Sequence, residues 1–255
     1  MTLTILTIPC LSDNYAYIVR CPETGATAVI DVPEAAPILA ALQKNDWKLD
    51  QILITHHHFD HIDGVEALQA ATGAQVVGAA CDVHRLPTLD HAVSDGDIIN
   101  VGASEVKILD VSGHTIGHIA FWFADSLAVF SADSLMALGC GRLFEGSPEM
   151  MWDTMQKFCA MPPETMVYSG HEYTASNAKF ALTIEPDNTN LIARANRIKQ
   201  ARAKGTPTVP ASIALEMATN PFLRAADPLV KQSIGMADAS DVAVFAEIRA
   251  RKDSF

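Results

Sequence analysis

No apolar run of membrane-spanning length occurs in the 255 residues, because polar or charged side chains interrupt every hydrophobic stretch well short of about 18 residues. The opening MTLTILTIPCLSDNY has no basic residue ahead of its apolar part, so neither a signal peptide nor membrane attachment is expected. Cysteine is sparse: Cys10, Cys21, Cys81, Cys140 and Cys159 are odd in number and form no C-x-x-C pair, which argues against a disulfide framework and for reduced thiols in the cytoplasm. Basic residues are also few, 18 Lys and Arg against 30 Asp and Glu, giving a formal net charge of −12. A field of that sign repels polyanions, so nucleic acid is not expected as a partner. With 19% charged and 49% hydrophobic residues, the chain is apolar enough to bury a sizeable core and cannot be read as disordered.

The first part of the chain alternates as strands do, then switches to helical spacing. TLTILTI, YAYIVR and ATAVID read as strands parted by turn residues such as Ser12-Asp13-Asn14. PEAAPILAALQKNDW places Ile38, Leu39 and Leu42 on one helical face, and QILIT follows as a short buried strand. Then come a helix (VEALQAAT), a strand (AQVVGAA), a loop with Pro87, two or three strands across Ile98 to Phe130, a helix (MMWDTMQKF) and a strand (TMVYS). Two such blocks fit a helix-covered pair of sheets. Beyond His171 no further strand is expected, and TASNAKFALTI, NTNLIARANRIKQARAKG, SIALEMA and DVAVFAEIRARK all read as helices. Asp187-Asn188-Thr189 supplies a start signal for the second of these, and Gly205 with Pro207 a stop. This tail is the basic part of an acidic protein, and the boundary is drawn between residues 1–173 and 174–255.

The chemistry is concentrated in Thr55-His56-His57-His58-Phe59-Asp60-His61, directly after the strand QILI. A loop leaving a strand can turn alternate side chains to one point, so His56, His58, Asp60 and His61 are expected to share a pocket while His57 and Phe59 point elsewhere. His114 after VKILDVSG, Asp133 after LAVFSA and His171 after MVYSG stand in comparable places past other strands. Any one of them alone reads equally well as a helix cap or a backbone partner. Together, five histidines and two aspartates exceed what one four-coordinate structural zinc needs. They suit two catalytic ions, each with an open, water-bearing position.

These motifs, H-x-H-x-D-H, the downstream G-H-T, an Asp after an apolar strand and G-H-E, resemble the metallo-β-lactamase superfamily, whose fold is an αββα sandwich. Within it the chain is most similar to the glyoxalase II family, through LSDNYAYIV, THHHFDH, SGHTIGHI, GCGRLFEGSPEMMW, SGHEYT, NPFLR and RKDSF. The resemblance implies an α/β (α+β) protein: a metallo-β-lactamase-like catalytic domain over 1–173 and an all-helical, glutathione-binding domain over 174–255. It implies that His56, His58 and His114 hold one divalent ion, that Asp60, His61 and His171 hold a second, and that Asp133 bridges them. Zinc is the expected metal, with iron or manganese as alternatives. A water between two such ions becomes a hydroxide near neutral pH and attacks the thioester carbonyl, with Asp60 and Asp133 orienting it. A thiolate leaving group, from a thiol of pKa near about 8.5, needs little general-acid help.

The implied reaction is hydrolysis of S-(2-hydroxyacyl)glutathione, S-D-lactoylglutathione above all, to glutathione and a 2-hydroxy acid in methylglyoxal detoxification. A small-molecule thioester is the expected partner, and the chain is expected to act as a monomer. The resemblance assigns glutathione contacts to Arg142, Phe144, His171, Tyr173, Arg249 and Lys252. By composition alone Arg249 and Lys252 read as a solvated basic helix end favoured by the helix dipole. His118 is expected to support the site, and His84 and His91 to be loop residues. Phe144 stands where relatives commonly have Tyr, which removes one hydrogen bond worth about 1 kcal/mol. Arg142 replaces the usual Lys with a different donor geometry, and Ser169 replaces a Pro. Ala132 replaces a Gly before the bridging aspartate and calls for an ordinary backbone conformation there.

Three other readings stay open on sequence grounds. A glutathione persulfide dioxygenase of the same superfamily shares H-x-H-x-D-H but uses one iron and typically lacks the long helical tail. An RNA-processing nuclease of the superfamily wants a basic exosite, which the charge balance does not suggest. A purely structural metal module has no use for so many ligands.

Overall fold

The computed structural model describes residues 2–255. By compactness the chain divides into two units, residues up to 111 with 116–132, and residues 112–115 with 133–255.

The first unit begins with β1 (Thr4–Cys10), β2 (Asn14–Arg20) and β3 (Thr27–Ile30). They form an antiparallel meander extended in parallel by β4 (Gln51–Leu53), β5 (Gln75–Ala79) and β6 (His91–Val93). The parallel steps require crossovers, which α1 (Ala35–Asn45) and α3 (Val65–Thr72) provide for β4 and β5, while the segment between β5 and β6 holds only a 3-10 turn at Ala80–Asp82. Ile38 and Leu42 of α1 and Val65 and Leu68 of α3 pack onto Val29, Ile52, Ile54 and Val76, forming the core on one face of this sheet. β7 (Ile98–Val101), β8 (Ser104–Asp110), β9 (Ile119–Phe123) and β10 (Ala128–Ala132) make an antiparallel meander. Tyr17 of β2 meets Phe130 of β10 with ring centroids 5.5 Å apart, and Phe123 lies 5.7 Å from Phe130, so the two sets of strands share an aromatic interior. Four strands therefore stand where two or three were expected. β6 lies in what reads as a loop, and it includes the exposed His91.

The second unit holds a short hairpin, β11 (Leu135–Met136) with β12 (Gly139–Cys140), then α4 (Pro148–Cys159) and β13 (Met166–Ser169). Helices α5 (Thr174–Ile184), α6 (Thr189–Ala203), α7 (Ile213–Thr219), α8 (Pro228–Ser233) and α9 (Asp241–Asp253) follow. Side-chain oxygens start several of them: Ser147 for α4, Asn188 for α6, Ser212 for α7, Asp227 for α8 and Ser240 for α9. Trp152, Phe245, Phe222 and Phe180 form a continuous aromatic row with neighbouring centroids 5.8–6.1 Å apart. The expectation of no strand past His171 fails at β14 (Ala211–Ser212), whose two residues pair antiparallel with β13. The six-residue α8 was also not anticipated, since it is too short to show a period.

Candidate metal centre

The first unit presents its donors at the C-terminal ends of β3 and β4. Asp31, directly after β3, has φ 57°, a left-handed conformation that aspartate tolerates better than most residues. Its Oδ1 accepts from the Thr55 backbone N–H at 2.9 Å, and its Oδ2 accepts from the Thr55 hydroxyl at 2.8 Å and from His61 Nδ1 at 2.7 Å. Thr55 Oγ1, having donated its proton, accepts from His56 Nδ1 at 3.0 Å. One buried carboxylate thereby holds the proton of both His56 and His61 on Nδ1, directly for His61 and through Thr55 for His56, so that in each ring Nε2 is the nitrogen that carries the lone pair. His56 Nε2 and His58 Nδ1 lie 3.2 Å apart. Phe59–Ile62 is a single helical turn, α2, so the strand-like alternation expected through Asp60 stops at His58. The turn still brings Asp60 Oδ2 to 3.9 Å from His61 Nε2, and Asn14 holds Asp60 by donating to its backbone oxygen at 3.0 Å and to Oδ2 at 3.1 Å.

His57 and Phe59 point elsewhere, as expected. The imidazole of His57 pairs with buried Asp82 at 3.1 Å, and Phe59 is exposed. His118 is fully buried and stacks on His56 with centroids 4.5 Å apart and an interplanar angle of 11°. His84 and His91 are exposed.

In the second unit Asp133 Oδ2 lies 3.6 Å from His114 Nε2 and 3.2 Å from His171 Nε2, and all three side chains are buried. His114 Nδ1 donates to the backbone oxygen of Arg142 at 2.7 Å, so this ring too presents Nε2. That contact explains the Gly-Cys-Gly turn. A Cβ on Gly141 would lie 2.1 Å from the Asp133 backbone oxygen and 2.7 Å from His114 Nδ1, so only glycine lets the turn close on the two candidate ligands. Ala132 contradicts the ordinary backbone expected of it: its φ is 41°, in the left-handed region, because the chain turns sharply between β10 and Asp133.

Imidazole nitrogens and carboxylate oxygens, oriented by a second layer of carboxylate, hydroxyl and carbonyl groups, fit borderline divalent ions such as zinc, iron and manganese. Burial pushes the Cys140 thiol, in the Gly-Cys-Gly turn, up to about 11, against the pull of Arg249.

The candidate substrate residues are all in the second unit. Tyr173 stacks on His171 with centroids 4.6 Å apart at 8°, and exposed Phe144 stands edge-on to His114 at 5.3 Å. The Arg142 guanidinium, with a side chain 55% exposed, lies 6.0 Å from the Phe144 ring centroid. Lys252 Nζ sits 5.3 Å from the ring centroid of Phe180 and 5.2 Å from that of Phe255. Arg249 does not fit the description of a solvated helix end. It is 7% exposed, lies 5.1 Å over the Phe222 ring, and donates from Nη1 to the Cys140 backbone oxygen at 2.9 Å and from Nη2 to Asp253 at 3.0 Å. Asp31, Asn14 and Asp253 escaped the sequence reading. Asp31 carries the same signal as Asp133, an acidic residue directly after an apolar strand.

Residues 12–171 match the metallo-beta-lactamase superfamily and residues 172–255 match the hydroxyacylglutathione hydrolase C-terminus. A hydroxyacylglutathione hydrolase of Jannaschia sp. (strain CCS1) is 63% identical over 251 residues, 98% of each chain, and one of Cereibacter sphaeroides is 59% identical over 255 residues, the full length of both. Among solved structures, ETHE1 from Myxococcus xanthus superposes with a TM-score of 0.66 at 26% identity, covering 98% of this chain and 90% of that one. The sheets and helices described above are thus those of a metallo-β-lactamase fold with a helical C-terminal part, and the chain belongs to the hydroxyacylglutathione hydrolase family of the metallo-β-lactamase superfamily.

Proposed function

We propose that this protein is a thioester hydrolase that converts S-(2-hydroxyacyl)glutathione, S-D-lactoylglutathione foremost, to glutathione and a 2-hydroxy acid, D-lactate in that case, as a step of methylglyoxal detoxification. The observation that carries the reading is the orientation of the histidines: in His56, His61 and His114 the Nδ1 proton is engaged by the protein and Nε2 is left as a donor. His56, His58 and His114 would hold one divalent ion, Asp60, His61 and His171 a second, and Asp133 would be shared by both. Zinc is the first choice of metal, iron or manganese the alternatives. Such a pair of ions supplies an activated water at neutral pH and polarises a carbonyl.

The chain's own groups do the rest. Asp60, fixed by Asn14, and Asp133, beside His114 and His171, are placed to orient the attacking water and accept its proton. The departing glutathione thiolate is a good leaving group, which agrees with the lack of a general acid in the assigned set. Arg142 and Lys252, with the charge of Arg249 behind them, receive the glutathione carboxylates, while Phe144, Tyr173 and His171 line the approach. Residues 174–255 form the substrate-binding part and residues 1–173 the catalytic part. Among the described residues no helix is long and apolar enough to cross a membrane. We propose a cytoplasmic setting, with which the five free thiols agree, and a monomer as the working state.

The deciding experiment is hydrolysis of S-D-lactoylglutathione, compared with a simple ester and a β-lactam, on protein of measured metal content. Preference for the glutathione thioester, rising with metal content to two ions per chain, is the expected result. No thioesterase activity at full metal loading, or oxygen uptake with glutathione persulfide, would overturn the reading.

A further inference from the structure

The second unit contains a closed ring of contacts around Arg142. Arg249 Nη1 donates to the Cys140 backbone oxygen at 2.9 Å, Arg249 Nη2 donates to Asp253 Oδ1 at 3.0 Å, and Asp253 Oδ1 accepts from Arg142 Nε at 3.1 Å. The chain from Cys140 through Gly141 to Arg142 completes the ring. We infer that Asp253 is a positioning residue for substrate recognition: it holds Arg142 by its Nε edge so that the outer fork of the guanidinium is aimed at a carboxylate of the thioester.

The geometry distinguishes this from mere neutralisation. An arginine that is simply paired offers a carboxylate two parallel N–H groups. Here Asp253 takes only the Nε proton, and neither Nη of Arg142 donates to any described residue. The edge left open is the one suited to a second, bidentate carboxylate. Asp253 is itself fixed, since its partner Arg249 is 7% exposed, packed over Phe222 and tied to the Cys140 carbonyl. A long, exposed side chain loses rotamer freedom when it binds a ligand, and one already restrained loses less. The same segment also carries the Arg142 carbonyl that orients His114, so the ring fixes the substrate-facing guanidinium relative to a candidate metal ligand within this unit.

This inference rests on the proposed reading of Arg142 as a carboxylate receptor, and a double-mutant cycle separates the two. In the metal-loaded full-length enzyme, Asp253→Ala is expected to raise KM for S-D-lactoylglutathione roughly threefold to tenfold, the range of one weakened contact, with kcat changed less than about twofold. Asp253→Asn, which keeps an acceptor oxygen, should fall between Asp253→Ala and the parent. Arg142→Ala should raise KM at least as much, and adding Asp253→Ala to it should do nothing more. If Arg142→Ala leaves KM unchanged, the carboxylate-receptor reading fails and this inference with it. If Arg142→Ala raises KM but Asp253→Ala does not, lowers KM as a competing anion would, or keeps its full effect in the Arg142→Ala background, the positioning role is wrong while the receptor reading stands.

Discussion

Asp31 and His61 are joined by a 2.7 Å hydrogen bond between Oδ2 and Nδ1, with both side chains buried. The same carboxylate takes both protons that Thr55 offers, and Thr55 in turn fixes His56. Two proposed ligands thus depend on a residue outside the proposed ligand set. Losing such a partner typically costs about 10–100-fold in metal affinity or activity. Asp31→Asn, which suits the left-handed backbone equally well, is expected to fall in that range, read as metal retained after dialysis against a chelator and as kcat/KM. Retention equal to the parent would show that Thr55 alone orients His56 and that His61 needs no orienting.

The run of histidines gives a sharper contrast. His58→Ala or Asp133→Ala should abolish nearly all thioesterase activity, whereas His57→Ala should keep most of it. His57 contacts Asp82, which retains its bond to Arg85 when the imidazole is gone. Equal loss in the His57 and His58 variants, at matched folding and metal content, would refute the ligand assignment.

Much of this was legible in the sequence because histidine and aspartate directly after apolar strands carry a positional signal. The long helices α5, α6 and α9 were legible from their sequence character, and α6 also from its start signal at Asn188. The two-residue strands β11, β12 and β14 were not, since an element that short has no period and exists only through the neighbour it pairs with. Arg249 shows the other limit. A basic residue near a helix end reads as solvated, and only the packing of Phe222 and the Cys140 carbonyl against it reveals a buried guanidinium. Asp253 stands in the closing RKDSF that carries the resemblance, but a single acid between basic and polar neighbours gives no spacing from which its bonds to Arg142 and Arg249 could be read.

Ala132 supplies a stability test. At φ 41° its Cβ crowds the backbone, and the left-handed conformation costs an L-residue with a side chain roughly 1–2 kcal/mol. Glycine relieves this but gives back about 0.4–1 kcal/mol through the greater freedom of the unfolded chain. Ala132→Gly is therefore expected to stabilise the protein by up to about 1.6 kcal/mol, visible as a higher midpoint in urea. A lower midpoint would mean that the methyl group contributes more by packing than it costs in strain.

Arg194 and Glu216 form a buried ion pair in the helical part. Glu216 also accepts from the Leu138 backbone N–H at 2.8 Å and from Asn220 at 3.1 Å, while Asn220 donates to the Met136 and Gly139 carbonyls at 3.2 and 3.0 Å. The hairpin of β11 and β12 is thereby tied to α6 and α7. Glu216→Ala leaves a buried guanidinium without its counter-charge, which costs about 3–5 kcal/mol. Urea unfolding should show a loss of that size; one below about 1 kcal/mol would mean that water or another acid reaches Arg194.

Lys252 allows the substrate assignment to be tested through pH. Burial first, then the charge of Arg249, lowers the pKa of its ammonium below the lysine value of 10.5, while Asp253 opposes the shift. The rings of Phe180 and Phe255 are its other neighbours and do not titrate. If the protonated form grips a substrate carboxylate, KM stays low while Lys252 is charged and rises as the pH climbs through its pKa, with kcat following its own profile. Because that pKa is lowered, the rise should begin at a lower pH than an ordinary lysine would give. Lys252→Arg stays charged throughout the range and should lack the part of the alkaline rise in KM that is due to the lysine, which the difference between the two profiles isolates because any other group that titrates is shared by both proteins. Lys252→Met should show a high KM already at neutral pH and no lysine-dependent rise. Identical KM profiles for the parent and Lys252→Arg would remove Lys252 from the binding site and leave Arg142 as the cation that the substrate meets.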